Sequence, residues 1–216
     1  FDLNQESVNS PNKVRVDLNN NNFYLNTSYK GGFGNNWQVT TGLSYGYSKN
    51  KLGLDLDKLN NDENASHLKF KLRKSISQHV KLAFGTDYFI TRFNEDFTPN
   101  SGFGGTSGYN SSIAAAFAEG DILFTKNFAA KVGVRASYND LLDETAVAPR
   151  VSLAYKLNKT SQFSFAYGHF TQVPSVDFIK YSKMHQFESE KASHYILNFQ
   201  YNNDRQTFRA EAYYKD

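Results

Sequence analysis

The 216-residue sequence has no cysteine, only four prolines, one methionine and one tryptophan. Without cysteine the protein has no disulfide framework, no thiolate metal site and no cysteine nucleophile. Long hydrophobic runs are missing too: the longest, from Ile113 to Ala118, has six residues, whereas a transmembrane helix needs roughly 20. These absences exclude a disulfide-stabilised domain and a helical membrane protein.

An excess of one charge is also lacking. The chain has 24 Lys and Arg against 21 Asp and Glu, a net charge of +3, which is too weak to indicate a nucleic-acid partner. Aromatic side chains, in contrast, make up 16% of the residues, although the mean hydropathy is −0.60. The structural information therefore lies in how aromatic and polar residues alternate.

Apolar and polar residues alternate with a period of two along most of the chain. Between residues 80 and 88, for example, Val, Leu, Phe, Thr and Tyr at even positions alternate with Lys, Ala, Gly and Asp at odd positions. This is the pattern of β-strands with one apolar face. About ten such segments occur, at 23–29, 39–47, 68–73, 80–88, 112–124, 130–138, 151–157, 163–167, 195–201 and 208–215. No segment has a convincing helical period, so we predict an all-β fold.

The links between these segments are alternately short and long. Short links rich in Gly, Asn, Asp or Ser are predicted at 30–36, 75–79, 125–127, 158–161 and 202–205, and long links at 50–66, 94–111, 139–148 and 173–191. This rhythm is typical of an outer-membrane barrel, whose short turns face the periplasm. We predict an antiparallel up-and-down transmembrane β-barrel in the bacterial outer membrane, with its aromatic face against lipid and its charged face lining the lumen.

The ends of the chain bear on how much of a barrel it forms. If the long links lie outside the cell, both ends lie on the extracellular side, whereas a barrel inserted from the periplasm keeps its termini inside. We therefore expect an internal piece of one larger barrel domain. Residues 1–20 are predicted to be an extracellular loop or irregular, and residues 21–216 to form barrel hairpins.

Four stretches in the second half resemble a known family. Ala148–Leu157 resembles a "PR-x-S-x-x-Y" strand, Ser161–Gly168 resembles the strand that follows it, and Thr171–Pro174 matches the start of a long outer loop. Glu190–Tyr195 is similar to a "PEKA-x-HY" element, with Ser189 where proline is common. These elements resemble the barrel of TonB-dependent outer-membrane receptors, especially those of Bacteroidetes-type bacteria.

The resemblance implies a 22-stranded barrel closed by an N-terminal plug. Such receptors import a scarce nutrient (siderophore-bound iron, cobalamin, an oligosaccharide or a peptide) with energy relayed by TonB, and they are not enzymes. Neither a plug nor a TonB box is found in the sequence, so this chain would supply barrel wall and outer loops. The implied partners are outer-membrane lipid, the TonB complex through the missing plug, and the nutrient; a surface lipoprotein is a further candidate. No cofactor is implied.

Two sets of candidate site residues follow. The first is the charged, lumen-facing set, which could attract an anionic substrate or, as we favour, pair with Asp87 and other carboxylates; it comprises Lys69, Arg73, Arg135, Arg209 and Glu211, with Lys71, Lys81 and Lys131. The second is a set of loop aromatics that could bind a substrate or only rest on the barrel rim; it comprises Phe97, Phe103, Tyr109, Phe178 and Tyr181.

Two other functions are compatible with the sequence. A self-contained small barrel acting as an adhesin or porin would need its first strand to pair with its last. A rim protease would need an acid–base pair, for which His169 or His185 with Asp87, Asp140 or Asp177 are the candidates. The five histidines have no metal-ligand spacing, so no metal site is expected.

Overall fold

The computed structural model describes residues 2–6, 15–179 and 187–216. The strands are β1 (Asp2–Glu6), β2 (Arg15–Phe33), β3 (Trp37–Leu54), β4 (Asp57–Ser75), β5 (Val80–Thr98), β6 (Gly105–Leu123), β7 (Phe128–Asn139), β8 (Glu144–Lys156), β9 (Ser161–Gln172), β10 (Glu190–Asn202) and β11 (Thr207–Lys215). Among the described residues, one short helix, α1 (Val176–Ile179), lies between β9 and β10. In the described part of the chain no helix is long and apolar enough to cross a membrane.

All eleven strands form one antiparallel sheet in which each strand pairs with its neighbours in sequence. The ten predicted strands are confirmed as β2 to β11. β1 is additional and pairs with β2 from Asp2↔Asn19 to Glu6↔Arg15, so part of the segment predicted as irregular is strand. A self-contained small barrel needs its first and last strands to pair. Among the described residues, β1 and β11 are not paired with each other.

The short turns lie where the sequence predicts them, and most are closed by a side-chain oxygen. Asn158 Oδ1 accepts the N–H groups of Thr160 and Ser161 at 2.9 and 2.8 Å. Ser77, Thr125 and Asn203 accept two backbone N–H groups each in the same way. These residue types form turns because their short side chains replace a backbone acceptor.

The long links are shorter than predicted in three of four cases. The link predicted at 50–66 is a turn at Asp55 and Leu56, the link at 94–111 shrinks to residues 99–104, and the link at 139–148 shrinks to residues 140–143. The flanking residues are strand instead, because they stay paired across the sheet. The fourth link, predicted at 173–191, agrees with the end of β9 at Gln172 and the start of β10 at Glu190.

The apolar face of the sheet is exposed and forms a continuous belt. Leu43, Val134 and Leu197 are 45%, 46% and 52% exposed, and most of the other exposed large apolar residues lie on this face. Buried apolar residues are few and mostly Ala, so the described sheet has no large core of its own. An apolar surface of this extent is unfavourable in water and favourable in lipid.

The belt has the height of a membrane. On β5 it runs from Val80 to Ile90, which are eleven residues and match the roughly 9–11 residues that a tilted strand needs to cross the hydrocarbon layer. Aromatic rings border it on both sides: Phe124 stacks on Phe128 at 5.3 Å near a short turn, and Tyr167 packs on Tyr195 at 5.1 Å nearer the long link. Such paired girdles are typical of outer-membrane barrels.

Candidate functional site

The charged face carries an ion-pair cluster centred on Asp87 of β5. The Asp87 carboxylate accepts hydrogen bonds from Arg135 Nη1 at 2.5 Å and from Lys69 Nζ at 3.1 Å, and it lies 3.0 Å from His67 Nε2. Its side chain is 3% exposed. The register produces this cluster, because Lys69 lies directly opposite Asp87 on β4 and the long Arg135 side chain reaches it from β7.

A second charged cluster lies nearer the short turns. Arg73 donates to Asp121 Oδ2 at 2.5 Å, and Lys131 lies 3.4 Å from the other oxygen of Asp121. Lys131 also lies 3.8 Å from Glu119 Oε2, which Lys71 approaches at 3.6 Å. Most of the basic residues predicted on this face are therefore neutralised by carboxylates of the same sheet.

Arg209 and Glu211 lie apart from both clusters. Arg209 Nη2 donates to Glu211 Oε2 at 2.6 Å along β11, with 65% and 38% of the two side chains exposed. β11 is four strands away from β7, so Arg135 and Arg209 do not share a site.

Strands β2 to β6 continue past the belt, and we call this part the outer extension. It comprises residues 15–24, 46–54, 57–65, 91–98 and 105–111, bounded by the row in which Tyr24, Gly46, Ala65, Thr91 and Ser111 face one another. An amide ladder crosses it: Asn20 donates to Asn50, and Asn50 Nδ2 donates to Asn61 Oδ1 at 3.0 Å. These side-chain bonds add to the backbone pairing of the strands.

The predicted loop aromatics have different environments. Phe97 is 42% exposed at the end of β5, and Phe103 in the link 99–104 is fully exposed. Tyr109 is in β6 and stacks on the buried Phe93 at 5.8 Å; burial, and then the charge of Glu63, raise the pKa of its hydroxyl. Tyr109 is therefore a packed strand residue and not a free loop aromatic.

The other two predicted aromatics belong to the link between β9 and β10. Phe178 in α1 is 61% exposed, and Tyr181 lies outside the described residues. Glu144 at the start of β8 holds this link, because its Oε2 accepts the N–H of Ser189 at 2.7 Å and its Oε1 lies 3.4 Å from Lys191 Nζ. The hydrogen bonds from Ser189, followed by the effect of Lys191, lower the pKa of Glu144.

Two concavities were not predicted from the sequence. One of about 230 Å³ lies beside the Asp87 cluster, and its lining includes Phe89, Arg135, Arg150 and Phe170; the Arg150 guanidinium lies 5.0 Å from the Phe170 ring. The "PR" pair in the sequence motif was the available signal for Arg150. The other, of about 750 Å³, lies in the outer extension and is lined by Lys49, Asn60–Asp62, Asn94–Asp96 and Thr106–Asn110.

Among the described residues, the rim-protease candidates His169, Asp140 and Asp87 have other partners. His169 Nδ1 lies 3.2 Å from Ser193 Oγ, and Asp140 accepts hydrogen bonds from Ser112. Asp87 is engaged by the basic cluster, and His185 lies outside the described residues. Within the described ranges no group of His, Asp and Glu side chains could hold a metal ion.

Comparisons with known proteins agree with this arrangement. The family model of the TonB-dependent receptor-like β-barrel matches residues 2–216. Among solved structures, the alcaligin outer-membrane receptor of Bordetella pertussis has a TM-score of 0.73 at 12% identity, with 98% of this chain and 38% of that chain covered. The ferripyoverdine receptor of Pseudomonas aeruginosa has a TM-score of 0.71 at 12% identity, with 94% and 33% covered.

The ferric yersiniabactin uptake receptor of Yersinia pestis has a TM-score of 0.66 at 15% identity, with 97% of this chain and 37% of that chain covered. A search of curated protein sequences gave no match. The chain thus spans between a third and two fifths of the length of these solved receptors. With its exposed apolar belt and its charged opposite face, the chain belongs to the TonB-dependent receptor β-barrel family of the bacterial outer membrane.

Proposed function

We propose that the chain forms part of the wall and the outer binding surface of a TonB-dependent transporter that imports a nutrient. The observation that carries the proposal is the outer extension. It rises above the apolar belt and, together with the link 99–104, presents the exposed rings of Phe97 and Phe103 where a ligand arrives from outside the cell. Aromatic side chains on outer loops bind sugars, catechols and peptide side chains alike.

In this proposal the charged face lines the lumen and has a structural role. Lys69, Arg73 and Arg135 are paired with carboxylates of the same face, so little unpaired positive charge is left to attract an anionic substrate. Ligand capture then depends on the outer extension and on the link between β9 and β10, which contains Phe178 and Tyr181, both predicted as site residues. The proposed partners are outer-membrane lipid around the belt, the TonB complex that supplies energy, and a surface lipoprotein.

Uptake by whole cells tests the proposal. Cells with and without the intact protein that contains this chain are given labelled ferric siderophores, cobalamin, oligosaccharides and peptides, with and without a protonophore that removes the energy source. We expect one of these classes to be taken up only when the protein and the energy source are both present. The absence of energy-dependent uptake for every class would contradict the proposal.

A matched pair of variants then locates the capture surface. Phe97→Ala combined with Phe103→Ala is expected to reduce uptake at low nutrient concentration several-fold, because both rings are exposed beyond the belt. Phe124→Ala is the control, since Phe124 is 57% exposed next to a short turn at the opposite end of the sheet. Equal loss in both variants would indicate a general defect of the barrel.

A further inference from the structure

The outer half of β6 has a strand neighbour on one side only. β6 pairs with β5 from Gly105 onward, whereas its pairing with β7 starts at Ile113. One more step of the ladder follows, in which the Asp140 N–H donates to Ser112 O at 3.1 Å and the Asp140 carboxylate accepts the Ser112 N–H. Beyond it, residues 105–111 have no strand partner on the β7 side among the described residues.

The backbone groups on this open edge can be identified from the ladder. Ser112 directs both its N–H and its C=O towards β7. Because alternate residues of an antiparallel strand point their backbone groups to the same side, Thr106, Gly108 and Asn110 also direct theirs towards the open edge. All three residues are exposed.

This edge lacks the features that normally protect a strand edge. Natural edges are protected by Lys, by Pro, by bulges or by a covering segment. The segment from Gly105 to Ser111 reads Gly-Thr-Ser-Gly-Tyr-Asn-Ser, without a charge or a proline, and it pairs with β5 without an interruption in register. The edge is therefore open to the addition of another strand.

The concavity of about 750 Å³ lies along the same edge, and its lining includes five consecutive residues of β6, Thr106–Asn110. Its charged side chains are three carboxylates, Asp62, Glu95 and Asp96, and one ammonium group, Lys49. An incoming strand would therefore meet Asp96 next to Thr106 at the outer end of the edge and Arg92 next to Asn110 at its inner end.

We propose that the β6 edge binds an extended, basic peptide segment by strand addition. Thr106, Gly108 and Asn110 supply the main-chain hydrogen bonds, and the Lys or Arg side chain of the peptide next to Thr106 faces Asp96 across β6. This inference rests on the proposed function, because it names the ligand class that the outer surface captures. An oligosaccharide lacks the evenly spaced N–H and C=O groups that the edge matches, and an anionic siderophore meets charge of its own sign.

The first experiment measures peptide binding to the intact protein that contains this chain, reconstituted in nanodiscs. The probe is a fluorescent heptapeptide of alternating Lys and Val, followed by anisotropy. The same peptide with every main-chain nitrogen methylated should bind about tenfold more weakly, because two or three hydrogen bonds are lost. A heptapeptide of alternating Glu and Val should bind no more tightly than the methylated peptide. Equal binding of the methylated peptide would overturn the inference.

Variants of the protein, instead of the peptide, test the same edge. Thr106→Pro removes an N–H that points to the open edge, without removing a bond to β5, and should weaken binding about fivefold. Thr106→Val, which keeps the N–H, should bind as the wild type does. Asp96→Asn should weaken binding of the Lys peptide, whereas the control Asp204→Asn, in a turn at the opposite end, should not. Loss of binding in Thr106→Val as well would overturn the role of the backbone.

Hydrogen exchange in the free protein tests whether another segment already pairs with the β6 edge. The amides of Thr106, Gly108 and Asn110 should exchange rapidly and become protected when the peptide binds. Slow exchange without peptide would show that another segment already pairs there, and the inference would be wrong. Energy-dependent uptake without peptide binding would overturn this inference alone, and peptide binding without uptake of any nutrient would overturn the proposed function alone.

Discussion

Strands β2 to β6 and strands β7 to β10 are built alike near the short turns and differ at the other end. In both groups the belt-forming part alternates between lipid-compatible and charged faces. β2 to β6 then continue as the outer extension, so that they have 18 or 19 residues, whereas β7 to β10 have 12 or 13. On β5 the extra length is about eight residues, or roughly 26 Å along the strand.

The two parts of β5 hold their structure by different means. Within the belt, one face meets lipid and the other carries the buried Asp87 cluster, so position along the strand and choice of face are both strongly determined. In the outer extension polar and apolar side chains share a face, and the strand depends on backbone pairing, on the stacking of Phe93 on Tyr109 and on neutral side-chain bonds such as the amide ladder. We therefore expect equivalent substitutions to have large effects in the belt and small effects in the outer extension.

The largest difference is expected for an arginine placed on the same face of β5 in the two parts. Thr86→Arg puts a charge at the middle of the belt and should lower the free energy of unfolding in membranes by about 2–4 kcal/mol. Asn94→Arg lies beyond the belt, where water solvates the guanidinium, and should change it by less than about 0.5 kcal/mol. Urea unfolding of the intact protein in lipid vesicles measures both values. Equal values would show that the boundary of the belt is wrong.

The belt could be predicted from the sequence because lipid and the charged lumen face impose opposite chemistry on alternate residues. The outer extension could not be predicted in this way. Its β4 segment contains the run Asn60-Asn61-Asp62-Glu63-Asn64, in which both faces are polar and no period is visible, so the sequence suggests a loop. What makes it a strand is pairing with β3 and β5, which depends on register and therefore on the whole sheet.

The candidate site, too, could be predicted only in part from the sequence. Pairing of the basic residues with Asp87 follows from residue types on one face, and it was expected. The convergence of Arg135, Lys69 and His67 on one carboxylate was not, because it depends on the stagger of four strands. Tyr109 was expected in a loop because its neighbours are Gly, Ser and Asn; its stacking on Phe93 is a cross-strand contact that no local pattern indicates.

The next largest effect is expected for the carboxylate at the centre of the charged cluster. Asp87→Asn removes the charge that Arg135 and Lys69 share, and should lower the free energy of unfolding by about 2–3 kcal/mol, less than for a fully buried pair because the partners are partly exposed. Asp62→Asn in the outer extension, where the carboxylate accepts a hydrogen bond from Asn94, should cost less than about 1 kcal/mol. If both variants unfold alike, the cluster does not stabilise the wall.

A smaller and local effect is expected for the amide ladder. Asn50→Ala removes the hydrogen bonds to Asn20 and Asn61, and should lower the local opening free energy of the outer extension by about 1 kcal/mol. Hydrogen exchange of the outer halves of β3 and β4 should accelerate, while exchange in the belt should not change. Thr40→Ala, on the same face of β3 within the belt, is the control. Faster exchange throughout the sheet in Asn50→Ala would show that the two parts of the strands do not open independently.

The smallest effect is expected for Glu144, which holds the long link between the shorter strands β9 and β10. The pKa of Glu144 is lowered in the folded protein by hydrogen bonds from Ser189, so its hold on the link is complete above the ordinary glutamate pKa of about 4.3 and is lost as the pH falls through the lowered value. Exchange protection of the Ser189 amide, corrected for intrinsic rates, should therefore be constant from about pH 7 to 5 and fall below about pH 4. Glu144→Gln should abolish this pH dependence, while the amide of Tyr201 in β10 should stay protected in both proteins. Protection of Ser189 that rises on acidification would contradict the role of the Glu144 carboxylate.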